Sequence, residues 1–190
     1  MIKICGITNR EDALAAVEAG ASALGFNFFP ASPRYINPET AAEIGAGLPV
    51  LRVGVFVNEP DVNGIAALAR LDVVQLHGEE TPDQMPAGLR IWKAFRVTGD
   101  WDAASMQPYN VEAFLLDGPA PGTGEAFDWS RASGLRKIVL AGGLGPENVA
   151  DAIRVVRPWG VDACSRLERA PGLKDHDRMR RFVRAAMDNL

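Results

Sequence analysis

Three groups of residues in this chain have the types and spacing to do chemistry, and each stands where an apolar run gives way to glycine or a turn. Ile2-Lys3-Ile4-Cys5-Gly6 ends in a thiol, and Leu115-Leu116-Asp117-Gly118 ends in a carboxylate. A thiolate takes protons and a carboxylic acid gives them, so the pair suits general acid–base work. Ala141-Gly142-Gly143-Leu144-Gly145 runs into a helix signal. Glycines let backbone N–H groups approach an anion, and a helix N-terminus adds partial positive charge, so this loop is a phosphate candidate. Ser165, in Val161-Asp162-Ala163-Cys164-Ser165, adds a hydroxyl and a further N–H. Each group also has a plainer reading. Cysteine finishes core strands as a small hydrophobe, aspartate caps turns, and paired glycines make ordinary loops.

Further polar residues follow other apolar runs. Arg34, in Ser32-Pro33-Arg34-Tyr35-Ile36, could clamp a carboxylate or phosphate, or be an ordinary surface arginine. Gln75 and His77 flank Leu76, and a lone histidine after a strand is more often an orienting residue than a catalyst. His176, beside Lys174, Asp175 and Asp177, reads as the solvated start of a last helix. The glycine-rich stretch 119–124, after Asp117-Gly118, has the composition of a loop that closes over a ligand.

The elements that must position these residues are apolar, often β-branched runs over 2–5, 23–28, 51–57, 73–76, 90–95, 113–117, 137–141 and 160–163. Most are continuous rather than alternating, as in the strands of a buried parallel sheet. Helical patterns lie between them at 11–19, 38–45, 61–69 and 146–156, with a last one at 175–187. Thr8 and Glu11 have capping-box spacing, and Pro38 and Pro146 suit a first helical turn. Repeated βα units admit an open doubly wound sheet or a closed (β/α)8 barrel. Polar residues at strand ends all along the chain favour closure, because an open sheet gathers them at one switch point. The chain is short for a barrel, and the shortage falls on the outer helices. The segment 81–88 carries Pro82 and Pro86, and the stretches after Phe95 and Phe127 are brief.

At 190 residues the chain is expected to fold as one α/β domain over 1–190. With net charge −4 and both signs interspersed, it offers no surface for nucleic acid. No apolar run approaches a membrane span and no signal-peptide pattern opens the chain, so a cytoplasmic protein is expected. Two distant cysteines make no disulfide framework, and no metal-ligand spacing is present.

Taken together, these segments resemble the phosphoribosylanthranilate isomerase family of tryptophan biosynthesis. The resemblance is carried by Lys3-Ile4-Cys5-Gly6-Ile7-Thr8-Asn9, Ser32-Pro33-Arg34-Tyr35-Ile36, Val53-Gly54-Val55-Phe56-Val57-Asn58 and Val74-Gln75-Leu76-His77-Gly78-Glu79. Leu115-Leu116-Asp117, Phe127-Asp128-Trp129, Ala141-Gly142-Gly143-Leu144, Pro146-Glu147-Asn148-Val149 and Pro171-Gly172 with Lys174-Asp175 extend it over essentially the whole chain. It implies a (β/α)8 barrel and an Amadori rearrangement, in which a phosphosugar aminoaldose becomes an aminoketose. By resemblance Cys5 is the general base and Asp117 the general acid. Arg34, Gln75, His77 and Asp162 meet the substrate, and Gly142, Gly143 and Ser165 meet its phosphate. Such chemistry needs the Asp117 pKa raised and the Cys5 pKa lowered, from ordinary values of about 4 and about 8.5. It only moves protons, so no metal or redox cofactor is implied. The implied partner is a small phosphosugar, with the chain a monomer or homodimer.

Two positions depart from the family. Its last strand loop usually reads Asp-Val-Ser-Ser-Gly-Val-Glu, whereas here Cys164 replaces a serine and Arg166 the glycine. Arg166 is expected to keep φ negative, point outward and pair with Glu168 or Asp162. Cys5 and Cys164 should emerge on adjacent strands with diverging side chains, a crosslink being the minority alternative.

Overall fold

The computed structural model describes residues 1–119 and 126–190. Of the stretch 119–124 read as a closing loop, residues 120–124 lie outside the described residues. Eight parallel strands close into a barrel in chain order: β1 (Ile2–Ile4), β2 (Ala23–Asn27), β3 (Leu51–Phe56), β4 (Val73–Leu76), β5 (Ile91–Arg96), β6 (Ala113–Asp117), β7 (Ile138–Leu140) and β8 (Gly160–Ala163). The closing pair sets Lys3 beside Asp162 and Ile4 beside Ala163.

The outer layer is thinned where proline and short connections predicted it. Helices α1 (Arg10–Ala19), α2 (Pro38–Gly45), α3 (Val62–Leu68) and α4 (Val149–Val156) follow β1, β2, β3 and β7, and α5 (His176–Met187) ends the chain. After β4, β5 and β6 the described residues form only 3-10 turns, at Pro82–Gln84, Ala103–Met106 and Trp129–Ala132. Two cap predictions need correction. Asn9, not Thr8, caps α1, accepting the Asp12 N–H at 2.8 Å, while Thr8 Oγ1 donates to the Gly172 carbonyl. Pro38 opens α2 as expected, but α4 starts at Val149, with residues 146–148 forming a turn ahead of it. A small antiparallel hairpin, β9 (Glu168–Ala170) with β10 (Leu173–Lys174), follows β8.

Strand alternation divides the side chains into two cores. One set points outward beneath the helices, with Ile4, Phe26, Phe56, Leu76, Leu116, Leu140 and Val161 packed together. The other set fills the barrel with Ala23, Val53, Val73, Trp92, Ala94, Ala113, Leu115 and Val139. Trp92 meets Trp159 edge-on, 5.7 Å between centroids, within this inner core.

Candidate active site

Beyond the inner core the same inward face becomes polar on or just after β1, β2, β4, β5, β6 and β8, while β3 keeps Val55 and Val57. A cavity of about 370 Å³ opens there, at the C-terminal end of the barrel, and it is lined by Cys5, Asn27, Gln75, His77, Arg96, Asp117 and Asp162 among others. Arg34, Gly142, Gly143, Cys164 and Ser165 line it too. All nine residues singled out in the sequence therefore border one space, of a size that suits a small organic ligand.

Cys5 follows β1 and is buried, its N–H donating to the Ala163 carbonyl at 3.0 Å. Beneath it lies Lys3, wholly buried, with Nζ 3.0 Å from Asp162 Oδ1. Gly25 on β2 leaves the space the thiol occupies. A methyl group there would stand 2.6 Å from Cys5 Sγ and 3.0 Å from Lys3 Cε. Since Ile4 pairs with Ala163, the next residues, Cys5 and Cys164, stand side by side. Their side chains converge, contrary to the divergence expected, and both remain free thiols. The Cys5 pKa is held well below that of a free thiol. The Cys164 hydrogen bond is the largest cause; burial opposes it, and the charges of Lys3 and Lys174 assist. The Cys164 pKa is pushed up by its bond to Cys5 and by burial. Asp162 is pushed up to about 7, mainly by burial, against the pull of Lys3.

Across the cavity Asp117 ends β6. Its Oδ1 accepts the Gly118 N–H at 2.8 Å, and Oδ2 lies 3.2 Å from His77 Nε2, off the line of a well-directed hydrogen bond. Gln75 Nε2 is 3.0 Å from His77 Nδ1. With the amide donating there, the imidazole carries its proton on Nε2, facing Asp117. The turn carrying His77 is braced from below. Glu80 accepts the Asn58 and Gly78 N–H groups, and the buried Lys93 bonds to Glu80 and to the Gly78 carbonyl. Gln75 and His77 thus form a chain leading to Asp117.

The loop after β7 has the form its glycines suggested. Gly142 and Gly143 have φ of 77° and 66°, successive left-handed residues that turn backbone toward the cavity. A methyl on Gly142 would lie 2.2 Å from the Gly118 nitrogen, so only glycine fits. Asn148 fastens the loop, accepting from the Gly145 N–H at 2.8 Å and donating to the Gly143 carbonyl at 2.9 Å. Ser165 enters from the 3-10 turn Ser165–Leu167 after β8. Arg166 in that turn is exposed and is not among the residues with positive φ, as expected. Of the two carboxylates near it in sequence, Asp162 meets Lys3, and Glu168 meets Arg34 and Lys174.

Arg34 is more than a free clamp. Its Nε lies 2.9 and 3.1 Å from the two Glu168 carboxylate oxygens and Nη2 2.7 Å from one of them. Lys174 Nζ adds a bond to Glu168 at 2.9 Å. These cations outweigh burial and lower the Glu168 pKa. Arg34 is therefore held in place by the β9–β10 hairpin, with Nη1 the part of its fork not committed to Glu168. His176 is likewise not simply solvated, since Nε2 meets Asp12 Oδ1 at 2.7 Å and ties α5 to α1.

Sequence reasoning gave no role to Lys3, Gly25, Arg96 or Lys174, and it offered Glu168 to Arg166 rather than to Arg34. For three of them a signal existed. Lys3, Gly25 and Arg96 share the inward parity of Cys5, Asn27 and Asp117, and a charge or a glycine on that face marks a site rather than a core.

The comparisons with known proteins agree with this geometry. The sequence profile of the family described as N-(5'phosphoribosyl)anthranilate (PRA) isomerase matches residues 2–185. The isomerase of that name from Solibacter usitatus (strain Ellin6076) is 51% identical, over 98% of this chain and 96% of its own. That of Geobacter sp. (strain M21) is 54% identical over 97% of each. Among solved structures, phosphoribosyl anthranilate isomerase from Thermotoga maritima superposes with a TM-score of 0.92 at 45% identity, covering 98% of both chains. A phosphoribosyl anthranilate isomerase in complex with reduced 1-(o-carboxyphenylamino)-1-deoxyribulose 5-phosphate does so with a TM-score of 0.89 at 44% identity, again over 98% of both. A barrel with its polar cavity at the strand ends, matched over nearly its whole length by these proteins, belongs to the phosphoribosylanthranilate isomerase family, enzymes that convert an aldose to a ketose.

Proposed function

We propose that the chain catalyses the Amadori rearrangement of N-(5'-phosphoribosyl)anthranilate in tryptophan biosynthesis, with Cys5 as general base and Asp117 as general acid. The observation that carries this reading is the placement of those two groups around one cavity beside the Gly142-Gly143 loop. Asp117 gives a proton to the furanose ring oxygen, and the ring opens to a protonated imine of the anthranilate nitrogen. Cys5, as thiolate, takes the proton from C2′ and leaves an enolamine, which tautomerises to the ketose. His77 orients Asp117 from Nε2; as the ketose forms, the Cys5 thiol returns its proton to C1′ and the enol hydroxyl proton restores Asp117. The lowered Cys5 pKa supports the base assignment, since a thiolate must be present near neutral pH. Backbone groups of Gly142, Gly143 and Ser165 receive the phosphate, while Arg34 Nη1 orients the anthranilate carboxylate.

The test is turnover of freshly generated substrate, followed by loss of anthranilate-type fluorescence. Cys5→Ser and Asp117→Asn should each lose about 10²-fold or more in kcat with modest change in KM. Near-wild-type kcat in either variant, with chemistry rate-limiting, removes that residue from its role.

A further inference from the structure

Lys3 is a wholly buried lysine on β1, two residues before Cys5 and on the same inward face. A cation in a barrel core persists only against anions. Asp162 is one, with Oδ1 3.0 Å from Nζ, yet neither atom makes a well-directed hydrogen bond. The ammonium is therefore not saturated by its carboxylate. The space beside it belongs to Cys5, because Sγ and Lys3 Cε close on the same vacancy over Gly25. We propose that Lys3 is the positioning residue that holds Cys5 as a thiolate, and that Asp162 competes with the thiolate for the lysine's charge.

The groups around Cys5 divide clearly. β2 offers Gly25, which has no charge, and β6 offers Asp117 across the cavity. β8 supplies Asp162 and Cys164. The cations Arg34, from the loop after β2, and Lys174, from β10, are both bonded to Glu168. The Cys164 S–H is a weak donor with a second acceptor, Glu168 Oε1 at 3.8 Å. Lys3 is left as the cation whose charge is shared between one carboxylate and the thiol. The two shifts agree with this. Burial works against the Lys3 charge, but Asp162 and then Cys5 outweigh it and raise its pKa. Asp162, pushed up to about 7, is partly neutral near physiological pH, and it then leaves the lysine to Cys5.

The proposal rests on the reading of Cys5 as base, but its test needs no turnover. The pH dependence of Cys5 alkylation by iodoacetamide, read by peptide mapping, reports the thiolate directly. Lys3→Met should raise the midpoint by about 1 pH unit or more. Because that variant strands Asp162, Lys3→Met with Asp162→Asn is measured too and should also show a raised midpoint. Asp162→Asn alone should lower the midpoint, an outcome no merely structural role predicts. Cys164→Ala removes the hydrogen bond to Cys5 and should also raise the midpoint, and adding Lys3→Met to it should raise the midpoint further. An unchanged midpoint in both Lys3 variants, a failure of Asp162→Asn to lower it, or no further rise when Lys3→Met is added to Cys164→Ala overturns the proposal. Failure of the base assignment would appear separately, as kcat retained in Cys5→Ser.

Discussion

Gly25→Ala tests whether the placement of the Cys5 thiol, rather than its presence, sets the rate. A methyl group at that position would lie 2.6 Å from Cys5 Sγ, 3.0 Å from Cys5 Cα and 3.0 Å from Lys3 Cε. Comfortable contacts between such atoms are about 3.5–4.0 Å, so the thiol must retreat by about 1 Å. The backbone gives little freedom to absorb this, because Ile4 pairs with Leu24 in the sheet and the Ile7 N–H bonds to the Gly25 carbonyl at 3.0 Å. Overpacking of this kind costs about 1–3 kcal/mol of stability. Displacement of a reacting group by 1 Å costs about 10²-fold in rate. Urea unfolding measures the first and kcat by fluorescence the second. Gly99→Ala is the control, since a methyl group there would have nothing within 4 Å. A Gly25→Ala enzyme that folds and keeps kcat within about twofold of wild type would refute the argument that the thiol must sit where the glycine lets it.

Other perturbations follow from the same geometry. Gly142→Ala must place a methyl group 2.2 Å from the Gly118 nitrogen at φ 77°, so KM should rise about tenfold or more, about 1.4 kcal/mol where KM reports binding. Asp162, raised to about 7 in the fold, binds its proton more tightly folded than unfolded; its contribution to stability is full below about pH 4 and is lost as pH rises through 7, so thermal unfolding of Asp162→Asn should show a weaker fall in Tm over that window. Glu168→Gln leaves the buried Lys174 without its carboxylate and should cost about 3–5 kcal/mol in urea unfolding. Arg166→Gly should leave KM within about threefold of wild type, since the 3-10 turn at Arg166 does not use positive φ; a tenfold rise would assign its side chain to the phosphate.

The barrel was legible because its signal is repeated: eight apolar runs, each ending in polar or glycine residues, point to one closed sheet. The catalytic candidates were legible for the same reason, being the residues at which those runs stop. What escaped was set by contacts distant in sequence. Nothing near Arg34 announces that Glu168 will take three of its bonds, because the partner arrives on a hairpin 134 residues later. The hairpin itself is only three and two residues long, too short to leave an alternating pattern. Thr8 lost the cap of α1 to its neighbour Asn9 because its hydroxyl reaches Gly172, in the turn of the β9–β10 hairpin far along the chain. His176 was misread for a similar reason: its partner Asp12 lies on the first helix.

The fold and the site are two readings of one alternation. Along β6 the inward positions are Ala113, Leu115 and Asp117; along β5 they are Trp92, Ala94 and Arg96. In each, two inner-core residues support a polar one at the mouth. β1 breaks this order, with a lysine where the others carry an apolar side chain, and Asp162 on β8 supplies the matching carboxylate in register. A charge pair below the rim is costly to bury, and a purely structural core would fill those positions with apolar residues. Its location under Cys5, with Gly25 opening the space between, explains why the pair is there. On the proposed assignment, the chain carries base and supporting cation together, Cys5 directly after β1 and Lys3 within it, at the spacing of two residues that strand geometry imposes.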